Sequence, residues 1–202
     1  MSDISFEDRT VIVTGAGNGL GKAYAIELGN RGAKVVVNDL GGAVDGSGSG
    51  STPADEVVNE IIANGGEAVA NYDSVATKDG GEAIVQTAID SFGTVDAVIN
   101  NAGILRDKSF AKMTEEELSL IIDVHLKGTF FVSQPAFTVM KEKNYGRIVN
   151  VASPSGLFGN FGQSNYGAAK MGIVGLTNVL AIEGAKYLSL IHISEPTRPN
   201  FI

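Results

Sequence analysis

The sequence predicts an α/β fold with a doubly wound parallel sheet, and three observations support that prediction. Short β-branched runs alternate with longer helical stretches along most of the chain, which is the pattern of repeated βαβ units. The predicted strands are mainly apolar, so helices should cover both faces of the sheet. Glycine accounts for 26 of the 202 residues, and the excess falls at discrete turns without a fixed period.

Five strands and five helical stretches can be assigned along the chain. The predicted strands are residues 10–13, 34–38, 67–71, 95–100 and 147–151. The predicted helices lie at about 20–31, 54–64, 79–91, 114–141 and 164–187. Pro135 should kink or interrupt the longest helix, because proline lacks the N–H donor that a helix interior needs. No repeat or linker divides the chain, so we predict one domain.

Composition and charge exclude several kinds of site. The chain has no cysteine and only two histidines, His125 and His192, which argues against disulfides, thiolate nucleophiles and the usual metal sites. The formal net charge of −8 argues against nucleic acid or an anionic membrane as partner. No apolar run reaches the ~18 residues of a membrane span, and the N-terminus lacks a secretory signal. We therefore expect a cytoplasmic or organelle-matrix protein.

A glycine-rich turn, TGAGNGLG at residues 14–21, joins the first strand to the first helix. Glycines allow backbone N–H groups to approach a pyrophosphate, whose charge the helix N-terminus stabilises. The same kind of turn also occurs without a ligand. As a phosphate-binding loop it would use five residues, namely Gly15, Asn18, Gly19, Leu20 and Gly21.

Asp39 ends the second strand, 18 residues beyond Gly21. That offset is close to the ~20 residues at which a carboxylate accepts the ribose hydroxyls of NAD; alternatively, Asp39 is an ordinary turn residue. No Arg or Lys lies within residues 16–20 or 38–42 to neutralise a 2′-phosphate, so we predict NAD rather than NADP. The glycine- and serine-rich stretch at 41–51 follows directly, and its composition is typical of a mobile surface loop.

Tyr166 and Lys170 are four residues apart in YGAAK, so both lie on one helical face. A free phenol, with a pKa of ~10, is a weak acid–base catalyst at neutral pH. A fixed cation beside it stabilises the phenolate and lowers that pKa. Such a pair is usually an ordinary surface contact, but here it accompanies a dinucleotide-type loop.

These motifs together resemble the short-chain dehydrogenase/reductase family, which has a Rossmann-type fold. The resemblance rests on TGAGNGLG, on NNAG at 100–103, and on Ser153 thirteen residues before Tyr166. It covers residues 6–187. VNDLGG with its glycine-rich insertion, NNAGILRD and VHLKG are more narrowly similar to the (3R)-hydroxyacyl-CoA dehydrogenase unit of peroxisomal multifunctional enzyme type 2 and its bacterial relatives.

The resemblance implies hydride transfer between nicotinamide and a secondary alcohol or ketone. It makes Tyr166 the acid–base group, Lys170 the cation that lowers the tyrosine pKa and holds the nicotinamide ribose, and Ser153 the donor to the substrate oxygen. It also implies that further residues line the cofactor, namely Asp73, Ser74, Asn100, Ala102 and Gly103. Asn100 has an alternative role as a bridge between neighbouring strands.

His125 departs from most of the family, which carries an asparagine at this position in a proton relay. The hydroxyacyl-CoA subgroup resembles this chain in having a histidine here. An imidazole can donate and accept a proton, so we include His125 as a candidate catalytic residue. A histidine that only packs between helices is the alternative.

The resemblance ends after Tyr187. The run LSLIHISEPTR at 188–198 resembles the translation of a sequencing adapter, so we expect residues 188–202 to be non-native. The family domain, 1–187, would then be truncated after the helix carrying Tyr166 and Lys170. We expect an uncovered edge at the fifth strand, poor solubility and little activity. The alternative is a natural C-terminus in which LSLIHI replaces a sixth strand.

The resemblance implies an NAD-dependent oxidation of (3R)-hydroxyacyl-CoA to 3-oxoacyl-CoA in fatty-acid oxidation. Alternatives are a 3-oxoacyl-ACP reductase, a hydroxysteroid dehydrogenase and, from another class, a catalytically silent NAD-binding regulator. By analogy with the family, the parent protein should be a homodimer or homotetramer. It would be cytoplasmic in a bacterium or lie in the peroxisomal matrix of a eukaryote.

Overall fold

A computed structural model of the chain describes residues 4–48, 50–187 and 190–194. Its strands are β1 (Thr10–Thr14), β2 (Lys34–Asn38), β3 (Glu67–Asn71), β4 (Ala97–Asn100), β5 (Arg147–Val151) and β6 (Leu190–Ser194). They form one sheet in the order β3-β2-β1-β4-β5-β6, and every neighbouring pair is parallel. The predicted doubly wound parallel fold is confirmed.

Helices connect the strands and pack on the sheet. They are α1 (Gly19–Asn30), α2 (Thr52–Ala63), α3 (Lys78–Phe92), α4 (Glu115–Ile121), α5 (Gly128–Glu142), α6 (Pro154–Phe158) and α7 (Ser164–Gly184). A short 3₁₀ turn (Phe110–Lys112) precedes α4, and a π-helical segment (Ile122–Lys127) joins α4 to α5. The sequence analysis did not predict α6 or the 3₁₀ turn.

Alternating side chains of the central strands divide the core into two layers. One cluster contains Ile12 and Val36, and the other contains Val11, Val13 and Val35. Successive residues of a strand point to opposite faces, so one five-residue strand contributes to both layers. The core therefore requires the near-continuous apolar strands that the sequence shows.

The longest predicted helix, 114–141, differs from expectation. Pro135 lies inside α5 and does not end it. A proline removes one backbone hydrogen bond. The helix tolerates this loss because α5 packs against α3. The interruption in α-helical hydrogen bonding falls earlier, at Ile122–Lys127, where the helix adopts the π form. π segments of this kind are frequent at functional sites.

The expectation of an uncovered edge at β5 is wrong. Leu190–Ser194 runs parallel to β5 and pairs with it from Arg147↔Leu190 to Val151↔Ser194. The β-branched and apolar run at 190–193 has strand propensity, which explains how it can occupy the edge whatever its origin. The remaining residues of the questioned segment, 188–189 and 195–202, lie outside the described residues.

Candidate active site

A cleft of about 470 Å³ opens at the carboxyl ends of the strands. The strand order reverses direction between β1 and β4, and ligands of open α/β sheets bind at such a switch point. Nine predicted site residues line the cleft: Gly15, Asn18, Gly19, Leu20, Asp39, Asp73, Ser74, Ala102 and Gly103. The structure thus brings most of the predicted cofactor residues together.

The glycine-rich turn forms one wall of the cleft. Gly15 and Gly19 have φ values of 61° and 55°, which favour glycine over residues with a Cβ. Asn18 precedes α1 without forming a side-chain cap, and the first turn of α1 contains no acidic residue. The first N–H groups of the helix therefore remain available to an anion such as a pyrophosphate.

Asp39 connects two loops at the edge of this cleft. Its Oδ2 accepts a hydrogen bond from the backbone N–H of Gly17 at 2.7 Å, and its Oδ1 accepts one from Gly41 at 2.7 Å. An ionised carboxylate has about four acceptor positions, so two of them remain for ribose hydroxyls. A Cβ added to Gly17 would lie 2.8 Å from the Asp39 carboxylate, which explains the glycine there.

Gly21 and Asn100 lie behind the cleft and do not line it. A Cβ at Gly21 would lie 2.5 Å from Asn101 Nδ2, so glycine allows α1 to approach that side chain. Asn100 Nδ2 donates to Ser133 Oγ at 2.9 Å and to Asn150 Oδ1 at 2.8 Å. The side chain of Asn100 therefore bridges β4 to β5 and α5, which is the alternative role left open by the sequence.

The candidate catalytic side chains Ser153, Tyr166, Lys170 and His125 are called here the reactive corner. Lys170 is its buried cation, with 4% of its surface exposed. Its Nζ donates to the carbonyl of Val151 at 2.6 Å and lies 5.6 Å from the centre of the Tyr166 ring. Burial lowers the pKa of Lys170 to about 8. The ammonium is therefore mostly protonated at neutral pH and lies beside the phenol, as the four-residue spacing predicts.

Ser153 directly follows the carboxyl end of the sheet and caps α6. Its Oγ accepts the backbone N–H of Ser155 at 3.2 Å. That bond uses a lone pair of the oxygen, so the hydroxyl hydrogen remains available to an oxygen of a ligand. Ser153 thus combines the capping role with a geometry suitable for donation.

His125 packs against Tyr166 in the π-helical segment. The two ring centres are 5.0 Å apart and the planes are nearly perpendicular, at 85°. His125 Nε2 lies 2.8 Å from the carbonyl oxygen of Ile104, whereas the buried Nδ1 has no hydrogen-bond partner in the described part of the chain. The backbone N–H of Ile104 also lies 3.1 Å from Nε2, so this nitrogen faces both a donor and an acceptor, and either ring tautomer satisfies one of the two.

The charge state of His125 follows from its surroundings. Burial, together with the positive charge of Lys170, lowers the pKa of His125 to about 3. The imidazole is therefore neutral at physiological pH. Because Gly103 lines the cleft and a Cβ there would lie 2.5 Å from His125 Cε1, His125 contacts both the backbone of the cleft and the Tyr166 ring.

Two asparagines that the sequence analysis did not identify hold these parts in place. Asn101 Nδ2 donates to the carbonyls of Thr14 and Gly15 at 3.1 and 3.0 Å. Asn165 is 1% exposed, and its Oδ1 accepts the backbone N–H of Tyr166 at 2.8 Å. Their proximity to NNAG and to YGAAK was the available sequence signal.

The fold and the site define a class of protein, a nicotinamide-dependent oxidoreductase that uses NAD or NADP. A family model for short chain dehydrogenases matches residues 9–195. The chain belongs to the short chain dehydrogenase family.

Individual relatives agree with this assignment. The chain is 62% identical over 185 residues to the peroxisomal hydratase-dehydrogenase-epimerase of Saccharomyces cerevisiae, covering 92% of this chain and 20% of that protein. It is 57% identical over 185 residues to the peroxisomal multifunctional enzyme type 2 of Mus musculus, covering 92% of this chain and 25% of that protein. The predicted resemblance is confirmed, and this chain spans a quarter or less of these two relatives.

A solved structure of a short chain dehydrogenase from Mycobacterium avium has the same fold. It superposes with a TM-score of 0.86 at 44% identity and covers 97% of this chain and 72% of that chain.

None of the helices within the described residues has the length and apolar character needed to cross a membrane.

Proposed function

We propose that this chain catalyses the NAD-dependent oxidation of (3R)-hydroxyacyl-CoA to 3-oxoacyl-CoA. The observation that carries the proposal is the reactive corner, where the Lys170 ammonium and the His125 ring both lie beside the Tyr166 ring. Gly103 and Ile104 join this corner to the cleft that contains the glycine-rich turn. A secondary alcohol beside Tyr166 would therefore lie next to the cofactor.

The residues that would hold the cofactor fit a dinucleotide. The uncapped N-terminus of α1 suits its pyrophosphate, Asp39 suits a ribose diol, and Asp73 and Ser74 also line the cleft. NAD, when bound, accepts at its nicotinamide the hydride that leaves the alcohol carbon. The negative charge of Asp39 and the absence of Arg or Lys at 16–20 and 38–42 favour NAD over NADP.

The side chains of the reactive corner would accept the hydroxyl proton of the substrate and stabilise the charges that this transfer creates. In the oxidation, the Tyr166 phenolate takes the hydroxyl proton of the substrate while the carbonyl forms. The Lys170 cation stabilises that phenolate through electrostatics in a site of low dielectric constant. Ser153 donates a hydrogen bond to the same substrate oxygen as its charge changes. The neutral His125 ring holds Tyr166 in this position.

An apolar groove supports a substrate with an acyl chain. The groove has a volume of about 400 Å³ and is lined by Phe110, Ser155 and Phe161, among others. Phe110 and Phe161 are largely exposed, at 82% and 90%, and Ser155 is bonded to Ser153. The yeast relative is named a peroxisomal hydratase-dehydrogenase-epimerase, so its name includes a dehydrogenase activity.

Substitution of Tyr166 by phenylalanine tests the proposed activity. Because general acid–base catalysis contributes roughly 10²–10⁴-fold, Tyr166→Phe should lower kcat for a (3R)-hydroxyacyl-CoA by at least about 100-fold. Binding of NADH, followed by its fluorescence, should stay unchanged. Normal turnover by the variant would instead favour an NAD-binding regulator. A wild-type preference for a hydroxysteroid over the acyl-CoA would reassign the substrate.

We also propose that the parent protein is a homodimer or homotetramer. Phe130 on α5 and Val179 and Ile182 on α7 expose between 47% and 77% of their surface, and such apolar side chains suit an interface. A cytoplasmic location, or the peroxisomal matrix in a eukaryote, is part of the same proposal. Sedimentation velocity tests the assembly state, and a monomer at micromolar concentration would argue against it.

A non-native origin of residues 188–202 remains our proposal. It is supported by the adapter-like run at 188–198, although the family model extends to residue 195. Sequencing the locus from unfragmented DNA tests it. A reading frame that encodes this tail and then stops would overturn it.

A further inference from the structure

The glycine-rich segment at residues 41–48, here called the strap, crosses the cofactor cleft. Four strap residues line the cleft: Gly42, Ala43, Val44 and Gly46. The carbonyl of Val44 accepts the backbone N–H of Leu105 at 2.9 Å, and the carbonyl of Asp45 accepts Arg106 Nε at 2.5 Å. The strap leaves the sheet after β2, so these bonds connect it to the segment that follows β4.

The strap has a defined internal structure. The backbone N–H of Ala43 donates to Ser47 at 2.8 Å, and that of Gly46 donates to Ala43 at 2.9 Å. Asp45 Oδ1 accepts both the N–H and the hydroxyl of Ser47, at 2.9 and 2.6 Å. These bonds, and more weakly the charge of Arg106, lower the pKa of Asp45. These internal hydrogen bonds give the strap the form of a compact turn.

The packing of the strap adds to its hydrogen bonds. Gly46 has a φ of +81°, and a Cβ there would lie 2.9 Å from the Ile104 side chain and 3.6 Å from Leu120. The backbone of the strap therefore rests directly on apolar side chains from the far wall of the cleft. A residue with a side chain at this position would lift the strap.

The segment at 104–108 also holds the reactive corner on its other side. The carbonyl of Ile104 lies 2.8 Å from His125 Nε2. The carbonyl of Arg106 accepts Asn165 Nδ2 at 3.1 Å, and Asn165 in turn holds the backbone of Tyr166. Arg106 therefore contacts the strap through its side chain and the start of α7 through its main chain.

We propose that Arg106 is a positioning residue that latches the strap across the cleft and thereby slows the release of the bound dinucleotide. This inference rests on the proposed NAD-dependent function. The guanidinium donates to a carbonyl of the strap, and hydrogen bonds to charged groups are stronger than neutral ones. With the latch removed, the strap would keep the Leu105 bond and the contacts with Ile104 and Leu120.

Hydrogen exchange of the cofactor-free chain tests the latch directly. Arg106→Ala should speed exchange of the Leu105 amide and of the strap amides, because the Val44–Leu105 bond opens more often. Arg106→Lys, which keeps a cation of similar reach, should restore part of the protection. Arg31→Ala is the matched control, since Arg31 is also partly exposed and donates to Glu27 at a distant surface.

Stopped-flow fluorescence of NADH tests the consequence for the cofactor. Arg106→Ala should dissociate NADH about tenfold faster, the change expected from losing one charged hydrogen bond, whereas Arg31→Ala should match the wild type. Unchanged exchange in Arg106→Ala would overturn the latch, and faster exchange with an unchanged dissociation rate would overturn its role in release. If the wild-type chain does not bind NADH, both the proposed function and the role of Arg106 in cofactor release are overturned. The hydrogen-exchange experiment still tests whether Arg106 holds the strap.

Discussion

The two halves of the candidate site, the cofactor cleft and the reactive corner, consist of different chemical groups. The cofactor cleft is formed largely by backbone groups, with glycines at positive φ and a carboxylate that bonds to two glycine N–H groups. The reactive corner is formed by buried side chains, among which His125 and Lys170 expose 2% and 4% of their surface. A backbone surface can follow an extended ligand closely, whereas burial changes the proton affinity of a side chain.

This difference predicts two kinds of sensitivity. Changes in the cleft should alter binding and the choice of cofactor, with little effect on proton transfer. Changes at Tyr166 or His125 in the corner should alter turnover or pH dependence and leave cofactor binding intact. Tyr166→Phe, described above, has the largest expected effect on the corner side. The following experiments examine the comparison further, in order of decreasing effect.

Replacement of the cleft carboxylate should change cofactor preference. Asp39→Ala combined with Leu40→Arg removes a charge that repels a 2′-phosphate and adds one that attracts it. The ratio of kcat/KM for NADP to that for NAD should rise roughly 30- to 150-fold, as expected for about 2–3 kcal/mol. Steady-state kinetics with both cofactors measures the ratio. A wild type that already prefers NADP by tenfold would refute the assignment of Asp39.

Protonation of His125 should change the free energy of unfolding rather than cofactor binding. Its folded pKa of about 3 lies below its ordinary value, so between pH 6.5 and 3 the unfolded chain binds the extra proton and stability falls as pH falls. Relative to His125→Asn, the wild type should lose about 2 kcal/mol of unfolding free energy between pH 7 and pH 5. Urea titrations of both proteins at the two pH values measure this loss, and equal losses would contradict the pKa.

Addition of a methyl group to the cleft backbone should weaken binding. Gly17→Ala places a Cβ 2.6 Å from Pro53 Cβ and 2.8 Å from the Asp39 carboxylate. Overpacking of this kind costs about 1–3 kcal/mol, so the Kd of NADH should rise about tenfold.

Gly175→Ala is the control for that substitution, because nothing lies within 4 Å of a Cβ at this position on α7. It should bind NADH normally and be more stable by roughly 0.5–1 kcal/mol. Equal effects of the two substitutions on NADH binding would mean that the turn is not part of the cofactor site.

Local sequence patterns were enough to predict the central fold. The predicted strands at 34–38, 67–71 and 147–151 coincide with β2, β3 and β5, because apolar β-branched runs between turns report burial and length together. The glycine-rich turn and Asp39 could be located for the same reason. Their positions are fixed by where β1 and β2 end.

Contacts between distant parts of the chain could not be predicted in this way. Arg106 and Asp45 are 61 residues apart in sequence, and no periodicity links them. The neutral state of His125 depends on burial by several elements, whereas the sequence shows only the residue type. The adapter-like run at 188–198 favoured a non-native tail, so a sixth strand from LSLIHI was only the alternative, although the strand propensity at 190–193 is clear.

The hydrogen bond between Asn100 and Asn150 also fixes the register between β4 and β5. Asn100 and Asn150 are direct partners in the parallel pairing of β4 and β5, and their side chains are hydrogen-bonded in a buried setting. A slip of one residue would separate these amides and leave polar groups unsatisfied, at about 1–3 kcal/mol for each. Gly103 and Ser153 each follow three residues later. The amide pair thus fixes the register that places Gly103 and Ser153 at the same level along the two strands.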